Sequence, residues 1–109
     1  MAGDLYTGTL DLLILQVLSA EPMHGYRIAH RIRDRSEGVL DVEQGALYPA
    51  LHRLNRKGLI VGEWGETETG RRARFYRLSP KGRTALEAEG ARWHEHIRAV
   101  HAVLGKAEG

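Results

Sequence analysis

The chain has 109 residues, 42% hydrophobic and 28% charged, with no cysteine; it is one domain's worth, and disulfides, thiolate metal sites, iron–sulfur clusters and a cysteine nucleophile are excluded. The longest aliphatic run, Leu12-Leu13-Ile14-Leu15, falls far short of the roughly 18 residues of a spanning helix, and the N-terminal stretch with Asp4 and Asp11 lacks the basic start of a secretory signal, so a cytoplasmic protein off the membrane is expected. The net charge of +2 is unevenly divided: residues 27–83 hold 13 Lys/Arg against 7 Asp/Glu and the two ends hold 3 against 7, which concentrates positive potential as a polyanion binder needs.

Residues 7–19 predict a helix, because Leu10, Leu13, Ile14, Val17 and Leu18 follow the stripe of a core-facing segment. Leu5, Leu12 and Leu15 lie off that stripe. They give the helix a second apolar side, for which another chain is the expected cover. Glu21-Pro22 ends this helix. A second helix is predicted at about 25–36, with Ile28, Ala29 and Ile32 inward and His24 as its cap. Arg27, Arg31 and Arg35 run along its outer side as a solvated face.

A third helix spans about 44–57 and stops at Gly58, a residue suited to the left-handed position after a helix. Leu47, Leu51 and Leu54 form its inner stripe; Gly45, Pro49, His52, Arg53 and Arg56 fall opposite, flanked by Tyr48. Pro49 implies either a later start or a distorted first turn. Two β-prone segments, 59–64 and 72–78, enclose a polar loop with Gly65 and Gly70, which predicts a hairpin carrying Arg72 and Arg74 on one face.

Ser79-Pro80 opens the last helix as N-cap and first helical residue. Leu86, Trp93, Ile97, Val100 and Leu104 make a heptad seam with Gly90 in the remaining slot, and Gly105 supplies a stop. Continuous from 80 to 104, this helix is about 37 Å long and overhangs the rest of the chain. The economical partner for its seam is a second copy, each tail helix packing on the other subunit's first helix.

Three helices followed by a hairpin is the order of a winged helix-turn-helix, whose third helix enters the DNA major groove and whose wing lies along phosphates. The expected fold is therefore mainly α with a small β-hairpin: a winged helix-turn-helix over 1–79 and a C-terminal dimerisation helix and tail over 80–109. Tyr48, His52 and Arg53 are expected at the groove, and Arg56 and Lys57 at phosphates. The alternative for Tyr48 is a core residue steadying Pro49. Arg71, Arg72 and Arg74 are expected at the backbone or a narrow minor groove. The dimer interface is expected to use Leu5, Leu12, Leu15, Leu86, Trp93, Ile97, Val100 and Leu104. The partners are double-stranded DNA and a second copy of the chain. No cofactor, metal or catalytic activity is expected: His94, His96 and His101 around Glu95 lack H-E-x-x-H spacing, and no phosphate loop or Ser-His-Asp pattern occurs. The rival readings are a His-based metal sensor and a winged helix that binds protein.

The segments PMHGYRI (22–28), QGALYPALHRLNRKGLI (44–60), Trp64 and RFYRLSPKG (74–82) together resemble the PadR family of bacterial transcriptional regulators, over nearly the whole chain. The short tail resembles the compact branch with one C-terminal dimerisation helix. Ala46 stands where that family often has threonine or serine, and Ser79 where threonine is usual. The resemblance implies a dimeric, usually repressing regulator responsive to a small aromatic or flat apolar effector, and the two-fold symmetry of a dimer favours an inverted-repeat operator. It also implies a ligand-lining role for Trp93, whose alternative is to fill the seam.

Overall fold

The computed structural model of the chain describes residues 2–105, with side chains from residue 8 onward. The elements are α1 (Ala2–Leu18), β1 (Met23–His24), α2 (Gly25–Arg35), α3 (Gln44–Arg56), β2 (Ile60–Glu66), β3 (Arg72–Leu78) and α4 (Pro80–Leu104). Leu10, Ile14, Val17 and Leu18 of α1 meet Ile28 and Ile32 of α2 and Leu47, Ala50, Leu51 and Leu54 of α3 in one buried cluster. The sheet is antiparallel in the order β1-β3-β2. Its third strand, pairing Met23 with Tyr76 and His24 with Phe75, adds to the expected hairpin; two residues are too few to show a period in the sequence.

The helix ends follow the sequence signals. His24 caps α2 by accepting from the Arg27 N–H at 3.4 Å. The helix α3 does begin at Gln44 and runs through Pro49. The bond that Pro49 cannot make is to the carbonyl of Gly45, an exposed residue, so the lost bond lies on the side of the helix open to solvent. At its far end Gly58, at φ 80°, donates to the Asn55 carbonyl, and Leu59 N–H reaches back to Leu54 O, both at 3.0 Å. This double bond pattern closes the helix and turns the chain into β2.

Two expectations for the second apolar side of α1 need correction. Leu15 and Leu86, assigned to a partner chain, are both buried within this one. The cause is that α4 folds back on its own α1, so the start of the tail helix covers the side of α1 that Leu15 presents. Leu12 and Leu13 are half-buried. Leu5 lies outside the residues whose side chains are described. Beyond Trp93 the helix α4 leaves the body of the protein, and Ile97, Val100 and Leu104 are 37%, 41% and 77% exposed.

The two glycines at the α3–α4 joint differ in what they need. A Cβ on Gly58 would meet only the Lys81 side chain, at 3.9 Å, so its constraint is the positive φ alone. A Cβ on Gly82 would sit 2.0 Å from the Leu59 carbonyl oxygen, a backbone atom that cannot step aside. Gly58→Ala is expected to lower stability by about 1 kcal/mol, the cost of a left-handed non-glycine residue. Gly82→Ala is expected to lower it by roughly 2–3 kcal/mol, the cost of overpacking. Urea denaturation of the two variants checks the order, and equal losses would contradict it.

Candidate nucleic-acid interface

The helix α3 has a sharply divided surface. Leu47, Ala50, Leu51 and Leu54 are buried, whereas Gln44, Gly45, Tyr48, Pro49, His52 and Arg56 are exposed. Lys57, just past its end, is also exposed. Tyr48 serves packing as well as surface. Its ring lies against Gly25, where a Cβ would come within 2.9 Å of Cε1, so it holds the start of α2 against α3 while staying 45% exposed. This contact explains why a glycine follows the capping His24.

Arg53, expected at the groove, is paired within the chain. Its Nη2 donates to Asp11 Oδ1 at 2.6 Å and its Nε to Oδ2 at 3.4 Å, in a two-pronged pair whose side chains are 28% and 20% exposed. At about 100° per residue, Arg53 stands some 60° round the helix from Arg56 and 100° from His52. That rotation brings it to the α1 side, where Asp11 neutralises it. The charge therefore binds α3 to α1.

The wing is closed by Thr67. Its N–H donates to Arg71 O at 2.8 Å, its hydroxyl accepts from Arg71 N–H at 3.1 Å, and Gly70 turns the chain at φ 84°. Arg71 and Arg72 are exposed and Arg74 is half-buried. On the opposite face Phe75 packs edge-on against His24 at 5.3 Å between ring centres, which fastens the wing to the start of α2. An open groove of about 720 Å³ runs between α2, the start of α3 and the wing, and is bordered by Arg27, Gln44, Tyr48, Thr67, Arg71 and Arg72. Glu66 and Glu68 share its rim.

Arg27 and Arg31 both reach Glu21, at 3.5 and 3.7 Å, as a solvated helix face does. Arg77 pairs with Glu63 at 3.8 Å, and Arg92 pairs with Glu89. Among the described residues no carboxylate lies within 4.0 Å of the charged ends of Arg56, Lys57, Arg71, Arg72 or Arg74. In the sequence Trp64 stands out only as part of the family pattern. Here it is 58% exposed on the wing with Arg72 stacked over it. The β2–β3 register, which places Trp64 opposite Arg74, is the signal that finds it.

A second groove, of about 590 Å³, lies between α1, the end of α3 and α4. Leu12, Leu15, Leu54, Leu59 and the half-buried Trp93 give it apolar walls, with Asp11 and Lys57 at its edge. His94, His96 and His101 are exposed along α4. Among the described residues no three His, Asp or Glu side chains converge as metal ligands, and no helix is long and apolar enough to cross a membrane.

The sequence matches the model of the transcriptional regulator PadR-like family over residues 14–88. It is 38% identical over 77 residues to the transcriptional regulator Rv3488 of Mycobacterium tuberculosis, covering 71% of this chain and 58% of that one. It is 33% identical over 91 residues to the transcriptional regulator YqjI of Escherichia coli, covering 84% of this chain and 38% of that one. The chain thus spans little over half of the first of these relatives and less than half of the second. Among solved structures, a PadR family transcription regulator from hypervirulent Clostridium difficile superposes with a TM-score of 0.77 at 31% identity, covering 88% of this chain and 98% of that one.

The Asp11–Arg53 pair sets a measurable expectation. Each single replacement, Asp11→Ala or Arg53→Ala, is expected to destabilise the protein. A double-mutant cycle should return a coupling of about 1–2 kcal/mol, between the ~0.2–1 kcal/mol of exposed pairs and the larger values of buried ones. A coupling near zero would show that the pair does not hold α1 to α3.

Proposed function

The chain belongs to the PadR-like family of transcriptional regulators, and from that membership we propose that it binds an inverted-repeat operator as a homodimer and represses transcription until a small aromatic or flat apolar ligand releases it. It works as a non-enzymatic DNA-binding protein. The observation that carries the DNA reading is the placement of cations without carboxylate partners at both expected contact points, Arg56 and Lys57 at the end of α3 and Arg71, Arg72 and Arg74 on the wing. The tip of α3 would enter the major groove with Tyr48 and His52, and the wing would follow the backbone.

The homodimer reading rests on the outer half of α4. Ile97, Val100, Val103 and Leu104 form an apolar stretch that this chain leaves in solvent, on the same helix that begins in its core. A second copy laid along it would complete the heptad seam with Trp93. In this division of labour residues 1–79 carry the DNA contacts and residues 80–109 the dimer contacts. The ligand reading rests on the groove lined by Leu12, Leu54 and Trp93: an apolar ligand there would touch the last turn of α3 through Leu54.

A gel shift with DNA from upstream of the protein's own gene, at several salt concentrations, tests the regulator reading; no binding to that DNA or to random DNA would end it. Arg72→Ala is expected to reduce the slope of log K against log salt by about one, as loss of one phosphate contact does. Arg53→Ala should leave the slope unchanged, since its charge is already neutralised by Asp11. For the dimer, Ile97→Glu with Val100→Glu is expected to give a monomer by light scattering with the circular dichroism of the parent; a persistent dimer would move the interface elsewhere.

A further inference from the structure

Trp64 and Gly62 occupy the same face of β2, opposite Arg74 and Tyr76 of β3 in the sheet register. At the root of the wing this face is buried, with Tyr76 in the core. Further out it is exposed and holds an unusual set of neighbours. The Arg72 guanidinium carbon lies 4.7 Å from the centre of the Trp64 indole, and that of Arg74 lies 5.7 Å from it. The Arg74 side chain also crosses Gly62 so closely that a Cβ there would come within 2.7 Å of its Nε. A small residue and a large aromatic one, two positions apart, thus form a bed for two guanidinium groups.

The alternative partner for Arg72 is close by. Glu66 stands directly across the sheet from it, yet the two make no ion pair within 4.0 Å, whereas on the opposite face Arg77 does reach Glu63. Stacking on an indole orients a guanidinium without cancelling its charge, since the attraction is to the ring quadrupole. Pairing with Glu66 would have oriented it and neutralised it. An arginine already held on a planar surface also has less rotamer freedom to lose when it meets an anion.

We propose that Trp64, with Gly62, is a positioning residue pair for DNA binding: it presents Arg72 and Arg74 in a fixed arrangement with their charges free, and makes no DNA contact of its own. This rests on the regulator reading above. The positive charge of the wing is the same with or without the indole, so the contribution of Trp64 lies in arrangement and not in charge number.

The experiment measures DNA affinity and its salt slope for the full chain and for Trp64→Ala, Trp64→Phe, Gly62→Ala and Arg72→Ala/Arg74→Ala, the last also combined with Trp64→Ala. Trp64→Ala is expected to bind about five-fold more weakly, the scale of exposed cation–π contacts, with an unchanged salt slope. Trp64→Phe should recover most of the loss. Gly62→Ala should weaken binding in the same way, because its methyl group displaces Arg74 and leaves all charges in place. In the Arg72→Ala/Arg74→Ala background, Trp64→Ala should have no further effect. Full affinity for Trp64→Ala, or a loss that persists without the two arginines, would overturn the proposal. A side-chain readout separates misfolding from misplacement: the Arg72 Nε–H resonance should be shifted upfield by the indole ring current in the parent and return to the free value in Trp64→Ala, with the amide spectrum of the core unchanged. An Arg72 resonance at the free value in the parent would overturn it as well. Failure of the parent protein to bind any DNA would instead remove the regulator reading, and this inference with it.

Discussion

The Ser79 hydroxyl donates to the Gly58 carbonyl at 2.7 Å and accepts from the Gly82 N–H at 2.9 Å. Its own backbone N–H donates to Leu59 O at 3.1 Å. One buried residue thereby joins the end of α3, the root of the wing and the first turn of α4, and an N-cap of this kind satisfies donors that would otherwise be orphaned. Lys81 adds a bond to the Lys57 carbonyl at 3.1 Å. The close approach of Gly82 to Leu59 is what lets these bonds form at once. The orientation of the wing relative to the outer face of α3, on which any two-point grip on a duplex depends, is set at this joint.

The arginines fall into two physical groups. Arg27, Arg31, Arg53, Arg77 and Arg92 are tied to carboxylates of the same chain, with Asp11 taking the most buried of them. Among the described residues Arg56 at the end of α3 and Arg71, Arg72 and Arg74 of the wing are not. A charge paired within the protein adds little to the field outside it, and a free one extends over about a Debye length. Arg53, the most buried of the partnered arginines, lies where α3 meets α1, whereas Arg56, Arg71 and Arg72 are exposed. The indole of Trp64 belongs to this pattern, because it steadies Arg72 and Arg74 without a counter-charge.

The elements that repeat or punctuate were legible in the sequence. Ser79-Pro80 and Gly105 bracket α4 as the structure has it, and Gly58 closes α3. Sequence periodicity did not show which chain covers an apolar side. Leu15 and Leu86 had the spacing of interface residues, but the turn at Ser79 brings α4 back over α1, a long-range consequence that no local window contains. The pairing of Arg53 is invisible for a related reason: helical angle alone puts it near the boundary between two faces, and the carboxylate that holds it is 42 residues away. Trp64 was visible as a residue but not as a neighbour of arginines, since that requires the strand register.

The tail helix changes character along its length, and this sets how the fold divides. Gly82 and Leu86 are buried within the chain, Gly90 and Trp93 are half-buried, and every described residue from His94 onward is exposed. Ser79 is accordingly not a boundary of packing. The first two turns of α4 are as much part of the winged core as α1 is, because they cover Leu15 and cap the joint with α3. A chain ending at Ser79 would uncover Leu15 and lose the Gly82 N–H that Ser79 accepts, so residues 1–79 would not stand alone in their present form. The outer turns have no such role in the protomer. Their apolar residues stabilise nothing until another surface is laid against them, and the rigid inner turns fix the angle at which that surface is offered.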